Sequence, residues 1–199
     1  LGIAAGVGDR VTAITARAMR GELDFESSLR ERLKLMAGLE VSVLDRLLER
    51  TAFTAGGATL VATMRKTGAY AALISGGFSH FTGHVAKRLG FDEHRANRLV
   101  IAEGRLTGLA EEPVHGQSSK VAALEELSVQ LGLEHCDSIA VGDGANDIGM
   151  LRKAGLGVAF RGKPTVREAA HVRIDHGDLT ALLYLQGYRR DEFVADASP

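Results

Sequence analysis

The stretch Ser138-Ile139-Ala140-Val141-Gly142-Asp143-Gly144-Ala145-Asn146-Asp147 is an apolar run that ends in a glycine-flanked acidic turn. A short apolar run bounded by turn residues reads as a buried strand, and the two glycines let the backbone turn tightly beside a ligand. A helical pattern through Met150, Leu151 and Ala154 follows. Asp143, Asn146 and Asp147 therefore crowd at the carboxyl end of a strand, where open α/β sheets place their ligands. Three oxygen-bearing side chains on one turn suit a hard cation such as Mg2+. The competing reading is a capped helix start, with Asn and Asp beside the first free amides.

A second strand end has the same form. Tyr70 to Ile74 is a compact apolar strand, and Ser75-Gly76-Gly77 reads as a small-residue turn before a helix carrying Phe81, Val85, Ala86 and Leu89. Glycines at a helix start leave N–H groups pointing outward at an anion site, and Ser75 adds a hydroxyl. Between these strand ends, Gln117-Ser118-Ser119-Lys120 opens a helix that runs through Leu131. Lys120 lies in its first turn, where the helix dipole disfavours a cation. Solvation or a specific function both account for a lysine there.

The remaining chain fits an α/β protein with a helical part. Three amphipathic helices lie over residues 9–20, from Asp24 to Met36, and from Val43 to about Arg50, with no strand between them. They read as a small helical subdomain over 1–53. From residue 54 strands and helices alternate, which predicts a doubly wound, mostly parallel, Rossmann-like sheet over 54–188. Residues 97–101 and 105–108 flank Glu103-Gly104 as a hairpin, and 156–160 and 172–174 read as further strands. Residues 189–199 read as a polar, frayed tail.

Several function classes are disfavoured. The net charge is −1, so nothing points to nucleic acid or an anionic membrane surface. No apolar run approaches the roughly 20 residues that span a bilayer. The single Cys136 cannot form an intrachain disulfide, which favours a cytoplasmic location, and it is expected to pack at the start of a strand. A P-loop is absent from the sequence. What remains is a hydroxyl with free amides, a lysine and a carboxylate turn. These are the parts of phosphoryl transfer, a reaction of positioning and charge neutralisation.

Ser75-Gly76-Gly77, Lys120 and Gly142-Asp143-Gly144-Ala145-Asn146-Asp147 resemble, in order and spacing, the second, third and fourth motifs of the haloacid-dehalogenase superfamily. Ala18 to Phe25, Ser28 to Arg32, Ala96-Asn97-Arg98-Leu99 and Gly155 to Phe160 resemble its phosphoserine phosphatase family, the first two covering the helical cap. The resemblance implies that 1–53 is a cap on the α/β core and that the reaction is Mg2+-dependent hydrolysis of O-phospho-L-serine, the last step of serine biosynthesis. It implies that Ser75 and the Gly76 amide bind phosphate oxygens and that Lys120 neutralises charge. It further implies that Asp143 ligates Mg2+, with Asn146 and Asp147 ordering that site, that Arg32 pairs with the substrate carboxylate, and that Met19 and Phe25 close the apolar side of the pocket. On the residues alone Arg30 and Arg32 both read as solvated, and the resemblance changes that for Arg32 only. The partners under this reading are the small-molecule substrate and, as an open alternative, a second copy of the chain in a homodimer.

The family's first motif, Asp-x-Asp-Ser-Thr, does not occur in the sequence. Its aspartates are the nucleophile and the general acid/base. The chain opens Leu1-Gly2-Ile3, with no Met or signal-peptide pattern. The expectation is that the motif and its strand precede Leu1, and that these 199 residues alone fold poorly and do not turn over. Alternatives kept open are another small-phosphomonoester phosphatase or phosphotransferase of the superfamily, and a catalytically inert phosphoserine-binding module.

Overall fold

The structure, a computed structural model, describes residues 1–195, with the Met19 side chain also left undescribed. In chain order the elements are α1 (Gly8–Met19), α2 (Phe25–Lys34), α3 (Ser42–Leu48), α4 (Gly57–Lys66), β1 (Ala72–Phe78) and α5 (Ser79–Leu89). β2 (Glu93–Asn97), β3 (Leu99–Ala102), β4 (Arg105–Ala110), α6 (Gln117–Leu131), β5 (Ile139–Gly142) and α7 (Ile148–Lys153) follow. β6 (Leu156–Phe160), α8 (Pro164–Ala169), β7 (Val172–Ile174) and α9 (Ala181–Leu185) complete the order. The chain divides into two compact units. The first comprises Leu1–Ala52, Ser75–His84 and Arg95–Gly116; the second comprises Phe53–Ile74, Val85–His94 and the chain from Gln117 on.

The second unit carries the parallel sheet. β5, β6 and β7 pair in that order, with Gly142 opposite Ala159 and Phe160 opposite Ile174. Successive strand residues point to opposite faces. Ala140 and Ala159 pack with Leu151 and Val166 of α7 and α8, and Leu124 of α6 joins them. On the other face Val141 and Val158 pack with Leu182 of α9 and Leu60 of α4. Helices on both faces are what a parallel sheet of near-continuous apolar strands requires. The expected doubly wound α/β architecture is thus present.

The first unit packs α1, α2 and α3 with the β3–β4 hairpin. Met36, Leu44 and Leu106 form its buried centre, with Val11, Leu39 and Phe81 against it. The hairpin turns at Glu103 and Gly104, both at positive φ, the geometry that matches strand twist in a two-residue loop. Gly108 has φ +85°, and an added Cβ would meet the Ala37 Cβ at 3.0 Å, so only glycine lets the end of α2 lie this close to β4.

Four sequence expectations are corrected here. Ser75-Gly76-Gly77 is not a turn: the strand continues through Phe78, and the helix starts at Ser79. Glu93–Asn97 is a strand that pairs with β1, although its polar sequence gave no strand signal. The tail is docked as far as residue 194, where the Val194 N–H donates to the buried Thr63 Oγ1 at 2.9 Å and the Phe193 ring lies 5.0 Å from that of Tyr184. Cys136 is exposed in a short 3-10 turn, His135–Asp137, that precedes β5, so it does not pack at the start of the strand. Residues 196–199 lie outside the described residues.

Candidate active site

In the second unit, β5 stops at Gly142 and the chain folds over its own end. Asp147 Oδ2 accepts the N–H groups of Asp143 at 3.1 Å and Gly144 at 3.0 Å. Its Oδ1 accepts from the Lys120 ammonium. A Cβ on Gly142 would lie 2.4 Å from the Asp147 Cβ, and one on Gly144 would lie 2.4 Å from the Asn146 Oδ1. Gly142 is therefore needed for the carboxylate to sit over the strand end, and a side chain at residue 144 would displace the Asn146 amide oxygen.

The Lys120–Asp147 pair is nearly sealed, with side chains 11% and 4% exposed. This resolves the sequence puzzle of a lysine at a helix start: a buried carboxylate offsets the unfavourable dipole. It also separates two aspartates that the sequence groups together. Asp147 is committed through both oxygens, whereas Asp143 is exposed and fixed only through its backbone, where its carbonyl accepts the Lys163 N–H at 3.1 Å. Among the described residues no three His, Cys, Asp or Glu side chains come together as a metal cage. Mg2+ does not need one, because it commonly takes one or two carboxylates plus waters and phosphate oxygens. Asp143, an exposed hard-oxygen donor on a clamped turn, fits such a site.

In the first unit, Ser75 Oγ accepts the Gly77 N–H at 3.0 Å. Phe25, the first residue of α2, closes over this part of β1: Cβ atoms on Gly76 and Gly116 would lie 3.0 and 3.1 Å from its ring. Asn97, fully buried, donates to the Gly76 and His115 carbonyls and accepts the His115 N–H. Sequence reasoning gave Asn97 no role of its own: it stood only within the Ala96-Asn97-Arg98-Leu99 resemblance, because its partners lie 18 and 21 residues away.

Seven residues along α2 from Phe25, two turns and hence on the same face, Arg32 lines a cavity of about 410 Å³ with Leu29, Leu33, Met36, Leu47 and Phe81. It is half-buried, and its Nε donates to the Ser28 carbonyl at 3.1 Å. Burial pushes its guanidinium below its ordinary value, yet an arginine stays charged. Among the described residues it makes no ion pair. Arg30, by contrast, pairs with Glu26 and Glu112 on the surface. The Met19 side chain lies outside the described residues.

Helix α2, which presents both Phe25 and Arg32, starts at an Asp24 cap whose carboxylate accepts the Ser27 N–H at 2.7 Å and its hydroxyl at 3.1 Å. The backbone bond, then the hydroxyl, holds the Asp24 carboxyl below its ordinary value. A depressed folded pKa gives stability that is present above the unfolded value, about 3.9, and lost as pH falls through the folded one. Asp24→Ala is therefore expected to lower the thermal midpoint at pH 7. The gap from the parent should close on acidification below about pH 3.9; a gap independent of pH would refute the cap.

Three comparisons place this geometry among known proteins. The model of the family described as haloacid dehalogenase-like hydrolase matches residues 5–152. The chain is 44% identical over 191 residues to a phosphoserine phosphatase of Streptomyces coelicolor, covering 96% of this chain and 47% of that protein. It is 41% identical to one of Lactococcus lactis, covering 92% and 85%. It spans about half the length of the Streptomyces relative and of phosphoserine phosphatase SerB2 of Mycobacterium tuberculosis. Among solved structures, a substrate-bound phosphoserine phosphatase complex superposes with TM-score 0.86 at 38% identity, covering 92% of this chain and 88% of the other. A probable phosphoserine phosphatase from Vibrio cholerae gives 0.87 at 36%, covering 94% and 58%. With a family match over most of its length, and a parallel sheet whose strand end carries a clamped acidic turn, this chain belongs to the haloacid dehalogenase-like hydrolase family.

Proposed function

We propose that the chain serves the hydrolysis of O-phospho-L-serine to serine and phosphate, in a Mg2+-dependent reaction. The observation that carries this reading is Arg32, a half-buried guanidinium with no acid partner among the described residues, on the wall of an apolar cavity. A cation so placed calls for an anionic group on the ligand, and the guanidinium fork matches a carboxylate. Phosphoserine offers a carboxylate as well as a phosphate. Relatives named phosphoserine phosphatase at 41–46% identity support the same substrate.

Under this reading the Ser75 hydroxyl and the Gly76 N–H take phosphate oxygens. Lys120, held by Asp147, presents a fixed cation to the charge that develops as the phosphoryl group transfers. Phe25 forms the apolar side of the pocket, and excluding water there strengthens each electrostatic contact. Asp143 would hold Mg2+, with Asn146 beside it, and the bound ion would supply charge neutralisation at the phosphate oxygens. The helical segment 1–53 acts as the specificity-bearing cap. The nucleophile of an aspartyl-phosphate route is not supplied by these residues, because no Asp-x-Asp pair occurs among them. No helix of the described residues is long and apolar enough to cross a membrane, and a single exposed Cys136 suits a reducing cytoplasm.

The test is a substrate comparison in the natural protein that contains this chain. Phosphoserine should have the highest kcat/KM, with phosphothreonine lower and phosphoethanolamine, which lacks the carboxylate, lower still. Equal values for phosphoserine and phosphoethanolamine would favour a general small-phosphomonoester phosphatase instead.

A further inference from the structure

We infer that Asn97 is a positioning residue that sets the Ser75 hydroxyl for phosphate binding. Asn97 ends β2 and its side chain is wholly buried. Its Nδ2 donates to the Gly76 carbonyl at 3.0 Å and to the His115 carbonyl at 3.1 Å, and its Oδ1 accepts the His115 N–H at 2.7 Å. Both amide hydrogens and the oxygen are thus used, as a buried amide requires.

The consequence lies in the peptide that joins Gly76 to Gly77. A peptide unit is planar, so its C=O and N–H point in opposite directions and fixing one fixes the other. Flanked by two glycines, this peptide has little steric restraint of its own against flipping its plane. Asn97 holds its C=O. The opposite end, the Gly77 N–H, donates to Ser75 Oγ at 3.0 Å. A hydroxyl oxygen that accepts from the Gly77 N–H has its own hydrogen directed away from that donor, which makes Ser75 a donor toward a ligand. The order of action runs from the Asn97 amide, through the Gly76–Gly77 peptide, to the Ser75 hydrogen.

Asn97 also holds the chain on the other side of Phe25. Its bonds to His115 fix the backbone next to Gly116, and the Phe25 ring lies against both Gly76 and Gly116. The aromatic wall and the hydroxyl donor therefore share one buried support, 21 residues from Gly76 in sequence.

This rests on the reading of Ser75 as a phosphate donor, and a double-mutant cycle separates the two ideas. Inorganic phosphate is the probe, with its inhibition constant measured on the natural protein, alongside kcat and KM for phosphoserine and the thermal midpoint. Asn97→Ala should weaken phosphate binding about tenfold, the effect of one lost charge-assisted hydrogen bond. In a Ser75→Ala background the same change should move it by less than about twofold, the margin within which independent effects add. An equal loss in both backgrounds would overturn the proposal, since Asn97 would then act on the fold alone. If Ser75→Ala leaves phosphate binding unchanged, the reading of Ser75 itself fails. Should Asn97→Ala not fold, Asn97→Asp takes its place in the cycle: it keeps the acceptor for the His115 N–H but has at most one proton for two carbonyls.

Discussion

Lys120→Ala is expected to lower both stability and turnover, by separable routes. Removing the lysine leaves Asp147, with its side chain only 4% exposed, as a buried carboxylate without its cation. Breaking a buried pair in this way costs about 3–5 kcal/mol. The two backbone N–H groups that Asp147 retains place the loss toward the lower end. Turnover should fall by about 10²–10³, the usual cost of removing one fixed charge-stabilising group from a phosphoryl or acyl transfer site. The double change Lys120→Met with Asp147→Asn separates the routes, because it leaves no unpaired buried charge. It should recover most of the stability and none of the turnover. Recovery of turnover together with stability would reduce Lys120 to a structural residue.

Arg32→Ala should act on substrate binding rather than on the fold. Its guanidinium makes one bond to a backbone carbonyl, so little folding energy depends on its charge. Loss of a buried ion pair to a substrate carboxylate costs about 2–5 kcal/mol, which raises KM for phosphoserine by at least about thirtyfold. KM for phosphoethanolamine should barely change. Arg32→Lys should restore only part of the loss, since a point charge does not reproduce the planar fork. If both substrates suffer equally, Arg32 does not read the carboxylate.

The elements that were legible in the sequence are those whose signal is local. The apolar run from Ile139 to Gly142, the helix start at Gln117 and strand Leu156–Phe160 all stand where periodicity and turn residues put them. The strand through Ser75-Gly76-Gly77 was not legible, because small residues and glycines signal turns, whereas here they continue β1, a strand that pairs with β2. β2 itself, Glu-His-Arg-Ala-Asn, has no apolar alternation to reveal it. In the candidate site, the residue types at Ser75, Lys120 and Asp143 announced phosphate and metal chemistry. The division of labour between Asp143 and Asp147 did not, since it depends on a lysine 27 residues away. Asn97 was visible only as part of a resemblance, and its role follows from contacts 18 and 21 residues distant. Spacing put Arg32, next to Leu33, at the edge of the apolar face but did not decide whether its guanidinium is solvated, and it is packing that half-buries Arg32 and leaves Arg30 exposed.

The most direct measurement is phosphate release from O-phospho-L-serine by the natural protein that contains this chain, with Mg2+ and with the metal chelated. Release that requires Mg2+ and is abolished by chelation is the predicted result. A folded protein that binds phosphoserine but releases no phosphate with Mg2+ present would contradict it, and would make this a phosphoserine-binding module.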